Sequence, residues 1–301
     1  MQRVDTINMK AIPVVIVVAG EKLGFVRKVL LNLNHHCGFK IFYVICPRND
    51  VEATESRLHD LDFTTIVLNE DLIVNGMTLD IISKYLAIQF SGLPNRYLAG
   101  WYFQQFLKIG FSRFANEYKH YLIWDADTFL TKNIEFFEKN VILLTRGNEF
   151  HPDYFATIRQ LLPDINPQRY SHISQHIMVN VTDMRELILK IGGTNTEWWL
   201  DIINALTGST PQRFSEYETY SSFCLSHWPD RYRSIRRSWF RFGMSYFRAG
   251  PCRSDVSKLA VIYDFVAFES WDVGLLRYVR AHIMVNFKRV QSYFRSVFLS
   301  Y

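Results

Sequence analysis

The sequence predicts an α/β protein with a mixed, mainly parallel sheet flanked by helices and a basic, aromatic-rich helical extension at the C-terminus. Three observations carry this. Short β-branched or aromatic runs alternate with helical patterns through the first half, the signature of strands joined by crossovers. The 301 residues are 49% hydrophobic, enough to bury a sizeable core and to make disorder an unsuitable description. The charge is also divided. Residues 231–301 carry 13 Lys and Arg against 4 Asp and Glu, whereas residues 1–230 carry 21 against 25, so the net +5 belongs to the C-terminal part. The expected division is therefore a main α/β domain over 1–230 and a basic extension over 231–301.

Taken in order, Val14 to Val18 is a β-branched run after Pro13 and reads as a central parallel strand. Gly24 to Asn34 follows as a helix, with Phe25, Val29, Leu30 and Leu33 on one face. Lys40 to Cys46 and Thr65 to Leu68 are the next strands, with a crossover around Val51 to His59. Leu98 to Ala115 is a longer helix whose Tyr102, Phe103, Phe106, Ile109 and Phe114 lie near helical spacing. Its Gln104, Gln105 and Lys108 share the opposite face. Tyr121 to Trp124 is a fully apolar strand. Beyond it the pattern predicts a short helix over Thr131 to Asn140, a strand over Val141 to Thr145 and a loop-rich stretch from Gly147 to Pro167. A strand over Ile173 to Val181 bearing His176 comes next, then a helix from Asp183 to Ile191 stopped by Gly192-Gly193.

Composition narrows the classes. Cys37, Cys46, Cys224 and Cys252 are scattered, with no metal-type spacing, and read as reduced cytosolic core thiols. No apolar run reaches the length of a membrane-spanning helix. Ala11 to Gly20 mimics a short signal-peptide core, but its β-branched content suits a central strand better. The aromatic content of 16% is read first as an aromatic core.

The segment Tyr121-Leu-Ile-Trp-Asp-Ala-Asp-Thr-Phe-Leu130 is the most informative in the chain. Two carboxylates stand one residue apart where a buried strand runs out. Alternate residues of extended chain point the same way, so Asp125 and Asp127 are expected to converge on one hard cation. A cation held there can bind a diphosphate. Elsewhere an Asp-x-Asp serves turns and caps, but burying two acids at a strand end is costly without a cation or hydrogen bonds.

Lys108, the Asp-x-Asp strand and Ile134-Glu-Phe-Phe137 together resemble the donor-site core of GT-A (Rossmann-like) glycosyltransferases, particularly the glycogenin and lipopolysaccharide-galactosyltransferase group. His176-Ile-Met-Val-Asn180 resembles the acceptor-side strand of the same fold. Gly100-Trp-Tyr-Phe-Gln-Gln-Phe-Leu-Lys108 and Ser215-Glu-Tyr-Glu218 are similar to segments of a group of bacterial proteins that look like surface-polysaccharide glycosyltransferases. The resemblance covers about the first two-thirds of the chain. Two departures stand out: the family's late His-x-x-Gly-x-x-Lys-Pro-Trp motif is absent, and its Asn-Ser-Gly is replaced by Ser174-Gln175-His176. Neither motif therefore supplies a third metal ligand or indicates the stereochemical outcome.

The resemblance implies a nucleoside-diphosphate-sugar donor, a glycan or lipid-linked saccharide acceptor, and Mn²⁺ or Mg²⁺ as the cofactor. Asp127 is then the expected direct metal ligand, and Asp125 touches metal or ribose. Lys108 brings positive charge to phosphate or sugar, and Gln104 or Gln105 bonds sugar hydroxyls. An inverting reaction also needs a base, for which Glu216 is chosen ahead of Glu218, with His176 the other candidate. A solvent-facing helix start capped by Ser215, and a satisfied core histidine, are the plainer readings of these positions.

Other functions are weighed against this one. A sugar-phosphate nucleotidyltransferase normally carries a glycine-rich basic loop after its first strand, and Ala19-Gly-Glu-Lys-Leu-Gly24 has two glycines and no arginine. From Arg231 to Arg253 seven arginines and no acid are interleaved with aromatics, which suits nucleic-acid binding in principle. No recognition motif accompanies them, so no nucleic acid is expected. From Val273 onward no acid occurs, and Val279, Ile283, Phe287, Val290, Phe294 and Val297 form an apolar stripe beside Arg277, Arg280, Lys288, Arg289 and Arg295. That pattern fits either a helix packed on the domain or one lying on an anionic membrane. The expected location is cytoplasmic, peripheral to the inner face of the membrane.

Overall fold

The computed structural model describes residues 8–90, 96–247, 256–269 and 271–298, the side chains of 293–298 excepted. In chain order the strands are β1 (Pro13–Val17), β2 (Ile41–Cys46), β3 (Thr64–Asn69), β4 (His120–Trp124), β5 (Thr128–Leu130) and β6 (Phe137–Glu138). They continue as β7 (Val141–Arg146), β8 (His176–Asn180), β9 (Tyr232–Arg236), β10 (Trp239–Phe240) and β11 (Phe265–Ala267). The helices are α1 (Val26–Cys37), α2 (Val51–Leu58), α3 (Leu79–Gln89), α4 (Arg96–Phe114) and α5 (Pro152–Leu161). After them come α6 (Val181–Gly192), α7 (Trp198–Ala205), α8 (Glu216–His227), α9 (Gly243–Phe247) and α10 (Leu275–Phe298).

Two compact units are present. One comprises Met1–Ala19, Lys40–Trp124 and Phe136–Arg236, the other Gly20–Phe39, Asp125–Glu135 and Arg237–Tyr301. The units interleave along the chain, so they do not coincide with the 1–230 and 231–301 division that charge suggests. The physical reason is strand pairing: the short β5 finds its partner in β11, more than a hundred residues later.

In the first unit a five-stranded sheet runs β3-β2-β1-β4-β8. The first four strands are parallel, and β8 is antiparallel to β4, with Tyr121 opposite Val179 and Trp124 opposite His176. Continuous apolar runs suit strands covered on both faces, and Val14, Val15 and Ile16 are fully buried. Helix ends follow local chemistry. The Asn180 side chain caps α6 by accepting from the Thr182 and Asp183 amides, and Gly193 closes it at φ 58°. A second, three-stranded sheet orders β6-β7-β9. The sequence thus places β1 to β4, β7, β8 and the helices α1, α2, α4 and α6 within a few residues of where they form.

Three expected elements differ from the structure. No helix forms over Thr131 to Asn140: Ile134 and Phe136 are buried while Glu135 and Glu138 are exposed, a two-residue period that ends in the β6–β7 hairpin. Inside the stretch read as loop-rich, α5 starts at Pro152, because proline in a first turn begins a helix as readily as it breaks one. The strand carrying His176 starts there and not at Ile173, since Gln175 adopts φ 65° and interrupts the extended chain.

In the second unit β10 and β11 are parallel and β11 is antiparallel to β5. The buried face of α1 carries Val26, Val29, Leu30 and Leu33, and Gly38 at φ 73° ends the helix. Its Asn32 side chain donates to the Leu130 carbonyl at 2.9 Å and accepts from the Leu130 amide at 2.7 Å, fastening the far end of β5. Cys37, Cys46 and Cys224 are thiols without a disulfide, and Cys252 lies outside the described residues.

Candidate functional site

The acid pair belongs to the second unit. The two residues occupy a turn between β4 and β5, closed by the Thr128 amide donating to the Asp125 carbonyl at 3.1 Å, and not an extended strand end. Pairing of β5 with β11 fixes the chain on the far side of this turn. Thr128 lies opposite Ala267, and the Phe268 amide donates to the Asp127 carbonyl at 2.8 Å. Phe25, Phe129 and Phe268 meet edge to face beneath the turn, with ring centroids 5.4–6.4 Å apart.

The Asp127 side chain is 1% exposed. Its Oδ2 accepts from the Lys22 ammonium, which the short 3-10 segment Gly20–Gly24 delivers, and its Oδ1 is buried without a hydrogen-bond partner among the described residues. Glu269, just beyond β11, is the nearby third carboxylate. It accepts from Arg241 Nε and Nη2 at 3.1 and 2.7 Å and from Trp271 Nε1 at 3.0 Å, while Arg241 also lies over the Trp239 and Trp271 rings. Burial raises the pKa of Asp127 above the ordinary carboxylate range, and the charges of Glu269 and Asp125 add to it against the opposing pull of Lys22. Burial works against the Lys22 ammonium, yet Asp127, Glu269 and Asp125 together raise its pKa.

Two carboxylates and an unpartnered buried oxygen fit a hard divalent cation, whose remaining ligands would be oxygens of water or diphosphate. No group of three His, Cys, Asp or Glu side chains among the described residues converges closely enough to hold a metal unaided. Sequence reasoning misses both Lys22 and Glu269. The only signal for Lys22 is its position just after a parallel strand, and Glu269 gives none, because its place depends on the long-range β5–β11 pairing.

Lys108, Gln105 and Glu216 are brought together in the first unit. The expected polar face of α4 is turned inward: Gln105 and Lys108 are buried and Gln104 is half-exposed. The Lys108 ammonium donates to Glu216 Oε1 at 2.8 Å and to the Tyr217 hydroxyl at 3.3 Å. Gln105 Oε1 accepts from the Glu216 amide at 3.1 Å, and Gln105 Nε2 donates to the Trp101 carbonyl at 3.0 Å. Glu216 opens α8, capped as expected by Ser215, whose Oγ accepts from the Glu218 amide at 3.3 Å. An acid in that first turn also suits the helix dipole.

Glu218, further along the same turn of α8, is completely buried. Its Oε2 accepts from the His172 amide at 2.9 Å, and its Oε1 has no hydrogen-bond partner among the described residues. Burial lifts the Glu218 pKa to about 7, against hydrogen bonds from Ser171 and the His172 amide. His172 Nδ1 is 3.9 Å from the same carboxylate. Burial, and then Arg146, lower the His172 pKa to about 3, so this contact joins a neutral imidazole to the acid. His176 is buried in the core. Its ring stacks on Trp124 at 5.0 Å, meets Phe136 edge-on at 5.8 Å and shares a hydrogen bond of 3.2 Å with the Thr145 hydroxyl. At the carboxyl end of β3, where open α/β sheets tend to bind ligands, Glu70 is a further acid that sequence reasoning passes over. Burial raises it to about 7, aided by Asp71 and opposed by Arg96.

The model of a family described as Family of unknown function (DUF6492) matches residues 26–240. No curated protein matches the sequence. Among solved structures the chain is similar to mouse xyloside xylosyltransferase 1 in its apo form, at 14% identity and TM-score 0.45, covering 88% of this chain and 99% of that one. It is also similar to an active-site mutant of LgtC, at 11% identity and TM-score 0.47, and to galactosyltransferase LgtC in complex with donor and acceptor sugar analogs, at 11% and 0.45. Both cover 85% of this chain and 87% of the other. Scores of this size leave the functional argument to the chain's own residues.

The buried acids have two measurable consequences. Breaking the Lys108–Glu216 pair from one side, by Lys108→Met or Glu216→Gln, is expected to cost about 3–5 kcal/mol, because one charge stays buried alone. The double variant should recover much of that in urea unfolding, and additive losses would count against a coupled pair. Glu218 binds its proton more tightly folded than unfolded, so between pH 4.5 and about 7 its contribution falls as pH rises. Glu218→Gln should remove up to roughly 3 kcal/mol of that decline relative to wild type. Parallel stability–pH curves for the two proteins would show that Glu218 titrates normally.

Proposed function

The chain belongs to the family of unknown function whose model spans residues 26–240, so no activity comes with membership, and we propose that it is a metal-dependent glycosyltransferase. The observation that carries this reading is Asp127, buried beside Asp125 in the turn after β4, with one carboxylate oxygen unpartnered among the described residues. The proposed donor is a nucleoside-diphosphate sugar and the acceptor a glycan or lipid-linked saccharide, with surface-polysaccharide synthesis as the setting. The reading keeps the GT-A pattern of the Asp-x-Asp segment and the mainly parallel sheet that precedes it.

Asp127 and Asp125 would hold Mn²⁺ or Mg²⁺, which supplies Lewis-acid stabilisation to the departing diphosphate. The chain's own residues do the rest. Arg241 and Trp271 hold Glu269 beside the acids, keeping a third negative charge near the cation position. In the first unit the Lys108 ammonium holds Glu216 in place, and Gln104, half-exposed on α4, is the candidate to meet sugar hydroxyls. Deprotonation of an acceptor hydroxyl calls for a base with a pKa near the working pH. Glu216 is taken up by the Lys108 ammonium, whereas Glu218, raised to about 7, has the matching affinity.

Attachment to an anionic membrane surface is the proposed localisation. On α10 the apolar Leu275, Leu276, Val279, Ile283, Phe287 and Val290 are exposed, while Ala281 and Val285 are buried and His282 stacks on Tyr246. The helix therefore has its packing face elsewhere: Lys288 donates to the Ser238 hydroxyl over the Tyr263 ring, Arg277 and Arg280 lie over the Trp271 and Phe242 rings, and the apolar stripe is left to solvent beside the exposed Arg280 and Arg289. The side chains of Phe294, Arg295 and Val297 lie outside the described residues. No helix among the described residues is long and apolar enough to cross a membrane.

The enzymatic reading is tested by screening nucleotide sugars for metal-dependent hydrolysis and for thermal stabilisation. A donor at about 100 times its Kd should stabilise by roughly 2.7 kcal/mol. With that donor, Asp127→Ala should abolish metal-dependent turnover and Asp125→Ala reduce it severely, with circular dichroism unchanged. Full activity of folded Asp127→Ala would remove the assignment. For the membrane, sedimentation with vesicles should recover the protein only with anionic lipid and less at high salt. Recovery in the supernatant under every condition would refute attachment.

A further inference from the structure

Lys22 stands where an inorganic cation is expected, and the two partners of the contact differ sharply in their access to water. The Asp127 side chain is 1% exposed and that of Lys22 is 38% exposed. Asp127 sits in the turn that the β5–β11 pairing fixes, whereas the partly exposed Lys22 side chain has solvent to turn into by rotation about its own side-chain bonds. The ammonium also does only half of the work required. It satisfies Oδ2 and leaves Oδ1 without a partner among the described residues.

We propose that Lys22 is a displaceable internal counter-cation: in the metal-free protein its ammonium neutralises Asp127, and a divalent ion binds there by exchanging with it. This rests on the metal-site reading above and adds to it a competition built into the chain. A divalent ion would bring twice the charge to a site that Asp125 and Glu269 already make negative, and the Asp127 oxygen that Lys22 leaves unpartnered would be open to it. Arg241, the other cation of this region, is committed to Glu269 and does not take part in the exchange. Once displaced, Lys22 remains tethered beside the bound ion, within reach of phosphate oxygens that the ion would gather. Without metal, Lys22 thus offsets part of the site's negative charge, and an arriving ion has to compete with it.

The experiment uses the full chain and Mn²⁺ alone, with no sugar nucleotide, read as the loss of free-Mn²⁺ signal in electron paramagnetic resonance. Lys22→Gln should bind Mn²⁺ about tenfold tighter than wild type, within the usual range of coupling between competing ligands. Lys22→Arg, which keeps the charge, should stay near wild type. In the wild-type protein, acetylation of Lys22 by an amine-reactive ester, mapped by mass spectrometry, should rise when Mn²⁺ is added. This second measurement decides the matter if Lys22→Gln fails to fold. Equal or weaker Mn²⁺ binding by Lys22→Gln, or unchanged Lys22 acetylation, would overturn the exchange while leaving the metal site standing. Absence of Mn²⁺ binding by every form would overturn both.

Discussion

One buried carboxylate imposes the constraint on which the second unit depends. Asp127 is held out of water in a turn, and a charge in that position needs a counter-charge and fixed dipoles to remain there. The chain supplies them through contacts remote in sequence. The β11 strand pins the backbone on one side of β5, Asn32 of α1 grips Leu130 at its far end, and Lys22 meets the side chain. The arrangement is rigid in the backbone and under-satisfied in the side chain. That combination is what a binding site requires, because a ligand then finds its donor atoms in place and gains by pairing them.

The first unit handles its buried charge differently. Lys108 and Glu216 close on each other, and Gln105 and Tyr217 take up the neighbouring hydrogen-bonding capacity, so little is left for a ligand. A pair of this kind specifies how α4 and α8 meet, since any other packing would strand one charge. Glu218, on the same helix, is the contrast. It keeps an oxygen without a partner among the described residues and holds its proton to about pH 7. Two neighbouring acids of α8 thus have separate physical characters, one locked in an ion pair and the other poised to exchange a proton. Both are glutamates in one helical turn, so only the packing tells them apart.

The sequence makes legible whatever depends on local pattern. The apolar runs of β1, β2 and β4 and the amphipathic spacing of α1 and α6 are stated by a few consecutive residues, and the structure places them there. The Asp-x-Asp pair is visible for the same reason. The misreadings share a cause. Ile134 and Phe136 read as helical although their burial follows a period of two, and the stretch from Gly147 to Pro167 reads as loop-rich where α5 forms. Choosing between those periods in such short stretches requires knowing the partner strand. Lys22 and Glu269 lie beyond any local reading, because one is brought in by a turn after β1 and the other by a strand pairing across more than a hundred residues.

The two faces of α10 carry the same lesson to the surface. A sequence stripe of apolar residues beside cations is compatible with packing or with exposure, and its composition cannot decide between them. Packing decides it here: Ala281 and Val285, small and β-branched, are the residues that sink, His282 stacks on Tyr246, and Ile283, Phe287 and Val290 stay out. Large apolar side chains left in water on a helix whose cations are unmatched by acids over its whole length are costly to a protein that never covers them. The proposed lipid surface would cover both at once, its acyl region taking the rings and aliphatic chains and its anionic headgroups the exposed cations. The metal chemistry proposed at Asp127 and the surface attachment proposed at α10 therefore draw on one physical theme, charge and apolar area that the fold leaves incomplete.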